Sequence, residues 1–588
     1  MQRVKLTYID WIIIAAYFAF NIAIGFYYKS RAGKNISEFF VSGRNVPWWL
    51  AGTSMVATTF AADTPLVVTG LVARNGIAGN WLWWNFVMSG MLTVFLFARL
   101  WRRSGVITDV EFAEIRYSGG PAAFLRGFRA LYLSIPVNCI ILGWVNLAMV
   151  KILQLTLGVT KAQALWIVLG MIALTSFISA LSGLWGVLVT DLFQFVLKMT
   201  MVIVLAVAAV NAVGGIDQMK LKLATIDRAG SALSFVPDLN SAWMPMITFL
   251  VYVTMNWWAV WYPGAEPGGG GFVAQRMFCA KDERHSLLAT LWFNIAHYAI
   301  RPWPWILVGL ASIILYPNLE DKESGYVVVM VNHLPAALRG LMLAGFAAAF
   351  MSTIGTNLNW GASYLVNDFY RRFVHKGASD KHYVAISQVA TVLLTIASAI
   401  VTYYMDTIAN AWTWLMAIGA GTGGVLIMRW YWWRINAWSE VSAMAASLVV
   451  SQVLRWGFGI SSDTPLGFAH MMLITVGITT VVWLATTYLT APEPMDKLIS
   501  FYRRVRPARA LWGPVALKAP EVKAPQDTLW NLVDWVAGCI MIYGMLFGVG
   551  KIILKDFGMG ATFIAAGLVA GALIYWDLSR RGWGTVLD

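Results

Sequence analysis

The sequence predicts an all-α polytopic membrane protein of about fifteen transmembrane segments, on three observations. Of 588 residues, 59% are hydrophobic and only 12% charged, with mean hydropathy +0.65, a balance foreign to soluble domains. Apolar runs long enough to cross a bilayer recur from one end of the chain to the other. Two of these runs are broken by Pro or Gly in the manner of helices that line a binding site within the membrane.

Taken in order, the first run, 8–28, lacks an A-x-A cleavage site and flows into a basic loop, so it reads as a retained helix. The second, 47–73, holds Ala61-Ala62-Asp63-Thr64-Pro65 at its centre. Proline removes a donor and clashes with the preceding turn, so a break is expected near Asp63. Uninterrupted runs follow at 77–101, 127–157, 162–182 and 184–213. The seventh, 242–264, ends in WYPGAEPGGGG (261–271), which cannot continue a helix. The remaining runs are 287–316, 337–369, 382–404, 410–432, 439–458, 467–491, 527–551 and 558–578. If segments 2–6 and 7–11 form two inverted halves, 47–213 and 242–432, both breaks fall in the first helix of a half. The expected organisation is a transport core over 1–491, a basic loop over 492–526 and two additional helices over 527–588.

The net charge of +14 does not point to nucleic acid. Most Lys and Arg fall in alternate loops, as the positive-inside rule requires, with the N-terminus outside and the C-terminus in the cytoplasm. The loop 493–526, with Arg503, Arg504, Arg506 and Arg509, is suited to rest on anionic lipid. Cys139, Cys279 and Cys539 are too scattered for a disulfide framework or a CxxC metal site. No HExxH or GxSxG pattern occurs, so an enzyme is not the expected class.

The ninth segment is the most informative. LMLAGFAAAFMSTIGTNLNWGASYLVNDFY (341–370) carries Ser352, Thr353, Thr356, Asn357 and Asn359 in an otherwise apolar helix. The pairs 352/356 and 353/357 make a polar stripe at i, i+4, and neutral oxygens suit a hard cation such as sodium. The competing reading is that these groups bond back to carbonyls one turn earlier or glue helices together.

SEFFVSGRNVPWW (37–49), SMVATTFAADT (54–64), SGLWGVLVTDLFQ (182–194), AQRMFCAKDE (274–283), AAAFMSTIGTNLN (347–359) and RWYWWRIN (429–436) together resemble the sodium:solute symporter family, over about residues 5–491. The resemblance implies a LeuT-type fold: a five-plus-five inverted repeat with one extra N-terminal and about four extra C-terminal helices. It also implies a sodium site made of the carbonyls of Ala57, Phe60 and Ala349 and the hydroxyls of Ser352 and Thr353. For a second sodium, Asp191 and Thr356 match, with Ser352 shared, while Gly355 stands where another hydroxyl is expected. Asp191 has a structural alternative as partner of a nearby Thr or Lys198.

The same match places Asp63, Thr64, Trp83, Asn85, Asn256, Trp257 and Trp261 around the substrate, with Glu266 at the lip. Thr64 and Trp83 stand where sugar-transporting relatives are similar in using glutamine and glutamate, so a simple sugar does not follow. Aromatic walls with few polar groups suit a sugar, a nucleoside or an amino-acid-like metabolite. Arg301 and His297 read first as structural groups, and Arg429 as an interfacial anchor. The expected activity is sodium-coupled import of a small polar solute across a bacterial inner membrane. A proton-coupled symporter using Asp63 or Asp191, and a solute sensor of the same fold, are the alternatives.

Overall fold

The computed structural model describes residues 6–32, 44–106, 109, 111–179, 184–226, 231–260, 267–523, 525 and 527–583. Among them the regular elements are helices, joined at one point by an isolated parallel bridge between Val46 and Ala280. Every apolar run of the sequence is found as a helix or a bent helix pair. Among the described residues ten helices are long and apolar enough to cross a membrane, two more spans are bent pairs, and three further apolar helices are shorter.

The helices that form the spans and their main connections are, in chain order, α1 (Tyr8–Ala32), α2 (Trp48–Thr59), α3 (Asp63–Asn75), α4 (Ile77–Ser104), α5 (Gly119–Leu157), α6 (Lys161–Ser179), α7 (Leu184–Val213), α8 (Met246–Ala259) and α9 (Gly271–Cys279). They continue with α10 (Glu283–Leu315), α11 (Ala336–Val374), α12 (Asp380–Tyr404), α13 (Ile408–Gly419), α14 (Thr422–Tyr431), α15 (Ala437–Gly457), α16 (Pro465–Leu489), α17 (Met495–Val505), α18 (Thr528–Ile553) and α19 (Phe557–Arg581).

The break expected near Asp63 is present. Phe60 leaves the helical region (φ −89°, ψ 65°), and α2 and α3 meet at 61°. The second expected break also appears: Val260 is extended, and α9 begins only at Gly271. Gly268 and Gly269 hold φ of +85° and +77°, a region that disfavours side chains. A third break was not foreseen. α13 and α14 bend by 53° at Ala420-Gly421, where Gly421 (φ +86°) donates its N–H to Ala259 O at 2.7 Å. The end of α8 therefore plugs into the gap between α13 and α14.

The main apolar cluster is centred on α3, α4, α5, α10 and α11, and a second joins α2, the end of α4, α9 and α17. α2 packs between α7 and the first half of α10, and α3 against the second half. α18 lies against α4 and α10, with Trp303 Nε1 donating to Leu546 O at 2.8 Å. Arg429, expected as a surface anchor, instead turns inward: its guanidinium lies 4.4 Å from the Phe112 ring centre and pairs with Glu440 at 3.3 Å. The Trp101 and Phe112 rings supply the apolar wall, and Glu440 the counter-charge, that favour this burial.

Candidate functional site

The break after α2 ends the run of amides that would donate to its last carbonyls: the Phe60 N–H is shared between Val56 O (3.0 Å) and Ala57 O (3.2 Å), and the chain then leaves the helix. Two cations take these carbonyls. Lys198, from α7, donates Nζ to Phe60 O at 3.0 Å and Ala57 O at 3.4 Å. Arg301, the residue at which α10 kinks into its Pro302 half, donates Nη1 to Val56 O at 3.3 Å and Thr59 Oγ1 at 3.1 Å. Both side chains are buried, and both lie over the Phe60 ring, at 5.4 and 5.5 Å. His297, one turn earlier than Arg301, holds Nδ1 2.7 Å from Arg301 Nη2 and 3.1 Å from Thr59 Oγ1. It hydrogen-bonds the arginine and also borders the central cavity that Asp63 lines.

Two of the expected sodium ligands, Ala57 and Phe60, are thus the acceptors of Lys198. On α11 the stripe exists, but its hydroxyls turn back along their own helix. Thr353 Oγ1 donates to Ala349 O at 2.9 Å, Thr356 Oγ1 to Ser352 O at 2.9 Å, and Asn357 Nδ2 to Thr353 O at 2.9 Å. Phe60, Lys198 and Ala349 border one small, mostly apolar cavity between α2, α7 and α11. Ser352 is half-buried on the same helix.

The residues matched to a second sodium are not assembled into a site. Asp191 accepts a hydrogen bond from Ser54 Oγ at 2.6 Å, and Arg276 Nη2 of α9 lies 4.0 Å from the same oxygen. Its partners come from α2 and α9, whereas Thr356 Oγ1 donates to Ser352 O within α11. The structural alternative gave a Thr or Lys198 as partner; the direct partners are Ser54 and Arg276.

A second, central cavity of about 110 Å³ lies at the junction of α2 and α3. Asp63, Thr64 and Trp83 border it as expected, together with Thr58, Thr59, Trp144, Tyr298, Arg301, Thr353 and Trp412. Asp63 is the first residue of α3 rather than its N-cap, a position held by Ala62. Its Oδ1 is buried without a hydrogen-bond partner. Trp83 stacks on Tyr298 (5.6 Å, 24°) while its Nε1 is satisfied by Asn80 at 2.9 Å.

Three expected substrate residues sit elsewhere. Asn85 Nδ2 donates to Trp81 O and Leu82 O at 2.9 Å, and its Oδ1 accepts from Asn256 Nδ2 at 3.1 Å. Trp257 Nε1 donates to Val253 O at 3.1 Å, and its ring meets Trp535 of α18 at 5.5 Å. At this α4–α8 contact Asn85 is satisfied by the backbone and by Asn256, while Asn256 Oδ1 is buried without a hydrogen-bond partner. Trp261 and Glu266 lie outside the described residues. Sequence reasoning missed Trp144, Tyr298 and Trp412. Their signal is weak, because a chain with 31 Trp offers no periodic reason to choose these two.

A polytopic bundle with a buried carboxylate at a helix break, facing an aromatic cavity, defines the architecture of a membrane transporter. The chain belongs to the sodium:solute symporter family, whose pattern matches residues 39–449. It is similar to a sodium/glucose cotransporter of Vibrio parahaemolyticus, 22% identical, covering 84% of this chain and 92% of the relative. It is also similar to a sodium/pantothenate symporter of Haemophilus influenzae, 24% identical over 74% and 88% of the two chains. Among solved structures, the substrate-bound outward-open state of a Na+-coupled sialic acid symporter shares the fold, with TM-score 0.64 and 20% identity, covering 83% of this chain and 99% of that one.

The family implies sodium as a coupling ion. The donor set at the expected position does not fit it. Two of the five oxygens already serve an ammonium, and a second unit charge beside it would be repelled.

Proposed function

We propose that this protein is a secondary active symporter that imports a small polar organic solute by alternating access, binding it in the central cavity beneath Asp63. The observation that carries the reading is the unpartnered Asp63 Oδ1. A buried carboxylate oxygen without a donor is costly unless a ligand supplies one. It lies where an unwound backbone lines a cavity, the usual place for a transporter's site.

The solute presents hydroxyl or amino donors to Asp63 and an apolar or ring face to Trp83, Trp144, Tyr298 and Trp412. Sugars, nucleosides and amino-acid-like metabolites have this chemistry, and a plain anion does not. Exchange of the cavity between the two sides follows from rocking of the bundle around the α2–α3 and α13–α14 breaks. The N-terminus outside and the C-terminus in the cytoplasm of a bacterial plasma membrane complete the reading, with the α17 loop resting on lipid heads.

The test is a thermal-shift screen of the purified protein against sugars, nucleosides and amino acids. A ligand of the native state raises the melting temperature in proportion to the logarithm of its concentration. Stabilisation by a donor-bearing solute supports the reading. A chain that no member of the three classes stabilises, and that liposomes do not show to accumulate any of them, refutes it.

A further inference from the structure

We propose that Lys198 is the resident cation of the position expected for sodium: a tethered ammonium that supplies, from the chain itself, the charge a bound ion would bring. The inference rests on the reading of this chain as a symporter and concerns only which cation fills that position.

The argument begins with the end of α2. A helix C-terminus carries roughly half a negative charge, concentrated on its last free carbonyls. In this chain the helix ends at Phe60, whose N–H is shared between Val56 O and Ala57 O, so these carbonyls and that of Phe60 keep acceptor capacity for a cation. An ammonium has three donors on a point charge and a flexible stem, so it can serve carbonyls that point in different directions. Lys198 does this for two of them, and Arg301 serves the third from the opposite side.

The stem is aimed by packing. Lys198 lies seven residues after Asp191, two turns along one face of α7. Asp191 is anchored to α2 by Ser54 at 2.6 Å. The contact Ser54–Asp191 thus fixes the register in which Lys198 meets Ala57 and Phe60, one and two turns further along α2. The charged groups around Nζ are Asp191 on its own helix, Arg301 on α10 and, beyond Asp191, Arg276 on α9. The α11 side brings Ala349, Met342 and Phe346 to the same cavity, so no carboxylate from that helix borders it.

A sodium ion sharing Ala57 O and Phe60 O would sit about 4 Å from Nζ. At that spacing, like charges in a partly buried site weaken binding by about a thousandfold. The ammonium and the ion therefore exclude each other, and this position does not draw on the sodium gradient while Lys198 occupies it.

The experiment uses the full-length purified protein and sodium itself as the probe. Saturable binding of radioactive sodium, and the melting temperature in sodium against choline chloride, are measured for the wild type, Lys198→Met and Lys198→Gln. The expected result is no saturable sodium binding and no sodium-dependent stabilisation in the wild type, with both appearing in a variant that elutes as a folded monodisperse species. Adding Ser352→Ala and Thr353→Ala to that variant should abolish the gained binding. Saturable sodium binding by the wild type that is lost on Ser352→Ala with Thr353→Ala overturns the inference and leaves the symporter reading intact. Failure of both folded Lys198 variants to bind sodium overturns it as well, since the emptied oxygens would then be no cation site. Neither outcome touches the solute screen, which tests the symporter reading alone.

Discussion

Glu323 caps the helix that begins at Ile408. Both carboxylate oxygens lie 3.0 Å from the Ile408 amide, one lies 3.1 Å from that of Ala409, and Lys151 Nζ donates to the other at 2.7 Å. Arg74, at the end of α3, reaches the same group at 3.4 Å. One buried carboxylate thus ties the second half of the broken span to α5 and to α13. A negative group at a helix N-terminus also offsets the dipole of α13.

Removing this carboxylate should be severe. Glu323→Ala strands the buried Lys151 charge, which keeps only Asp321 (2.9 Å), and leaves two amides without an acceptor. We expect a loss of about 3–5 kcal/mol. Glu323→Gln keeps an acceptor and should lose roughly half as much. Thermal unfolding of the two variants in detergent checks this; equal melting temperatures for Glu323→Ala and wild type would show the cap to be dispensable.

The last two helices are held by a buried ionic cluster. Arg581 bonds Asp534 at 2.7 Å and Asp527 at 3.3 Å and also pairs with Asp577, while Arg99 of α4 reaches Asp527 at 3.2 Å. Arg581→Ala leaves Asp534 and Asp577, both fully buried, without their common cation. We expect about 3–5 kcal/mol of destabilisation and partial recovery when Asp534→Asn is added, because one uncompensated charge is then removed. A second substitution that worsens the melting temperature would contradict the charge argument.

The ten long apolar helices and two bent pairs were legible because a bilayer-length apolar run needs no tertiary information. The break at Asp63 was legible for the same reason: Pro65 forbids a regular turn wherever the helix packs. The break at Gly421 was not. GAGTGG contains no proline and reads as a small-residue packing face, and its opening depends on Ala259 O arriving from α8. The candidate site divides in the same way. Asp63, Thr64 and Trp83 follow the break and border the cavity, whereas Asn256 donates to Asn85, a pairing between helices that no local pattern encodes. Lys198 was visible as a charge within a span, but which carbonyls its ammonium meets depends on where α2 ends.

Orientation gives an independent prediction. The Lys and Arg asymmetry places the loop at Lys376 in the cytoplasm and the loop at Glu320 outside. Both side chains are exposed. In a background lacking Cys139, Cys279 and Cys539, Glu320→Cys should react with an impermeant maleimide in intact cells and Lys376→Cys only after lysis. The opposite pattern would invert the proposed topology.

Asp63→Asn should separate the cost of the carboxylate in the empty protein from its use in binding. In the ligand-free protein Asp63 Oδ1 is buried without a donor, so a neutral amide of the same size removes a desolvated charge. The ligand-free melting temperature should stay level or rise. Solute binding should weaken, because a charge-assisted hydrogen bond of about 1.5–3 kcal/mol is reduced to a neutral one, and the concentration needed for a given thermal shift should rise about tenfold or more. A purely structural Asp63 makes the reverse prediction: a lower ligand-free melting temperature and an unchanged solute response. Ala62 holds the N-cap position of α3 without a side-chain bond, so loss of a cap does not mimic either result. Thermal shifts of the two proteins against one stabilising solute, titrated over several decades, decide between them.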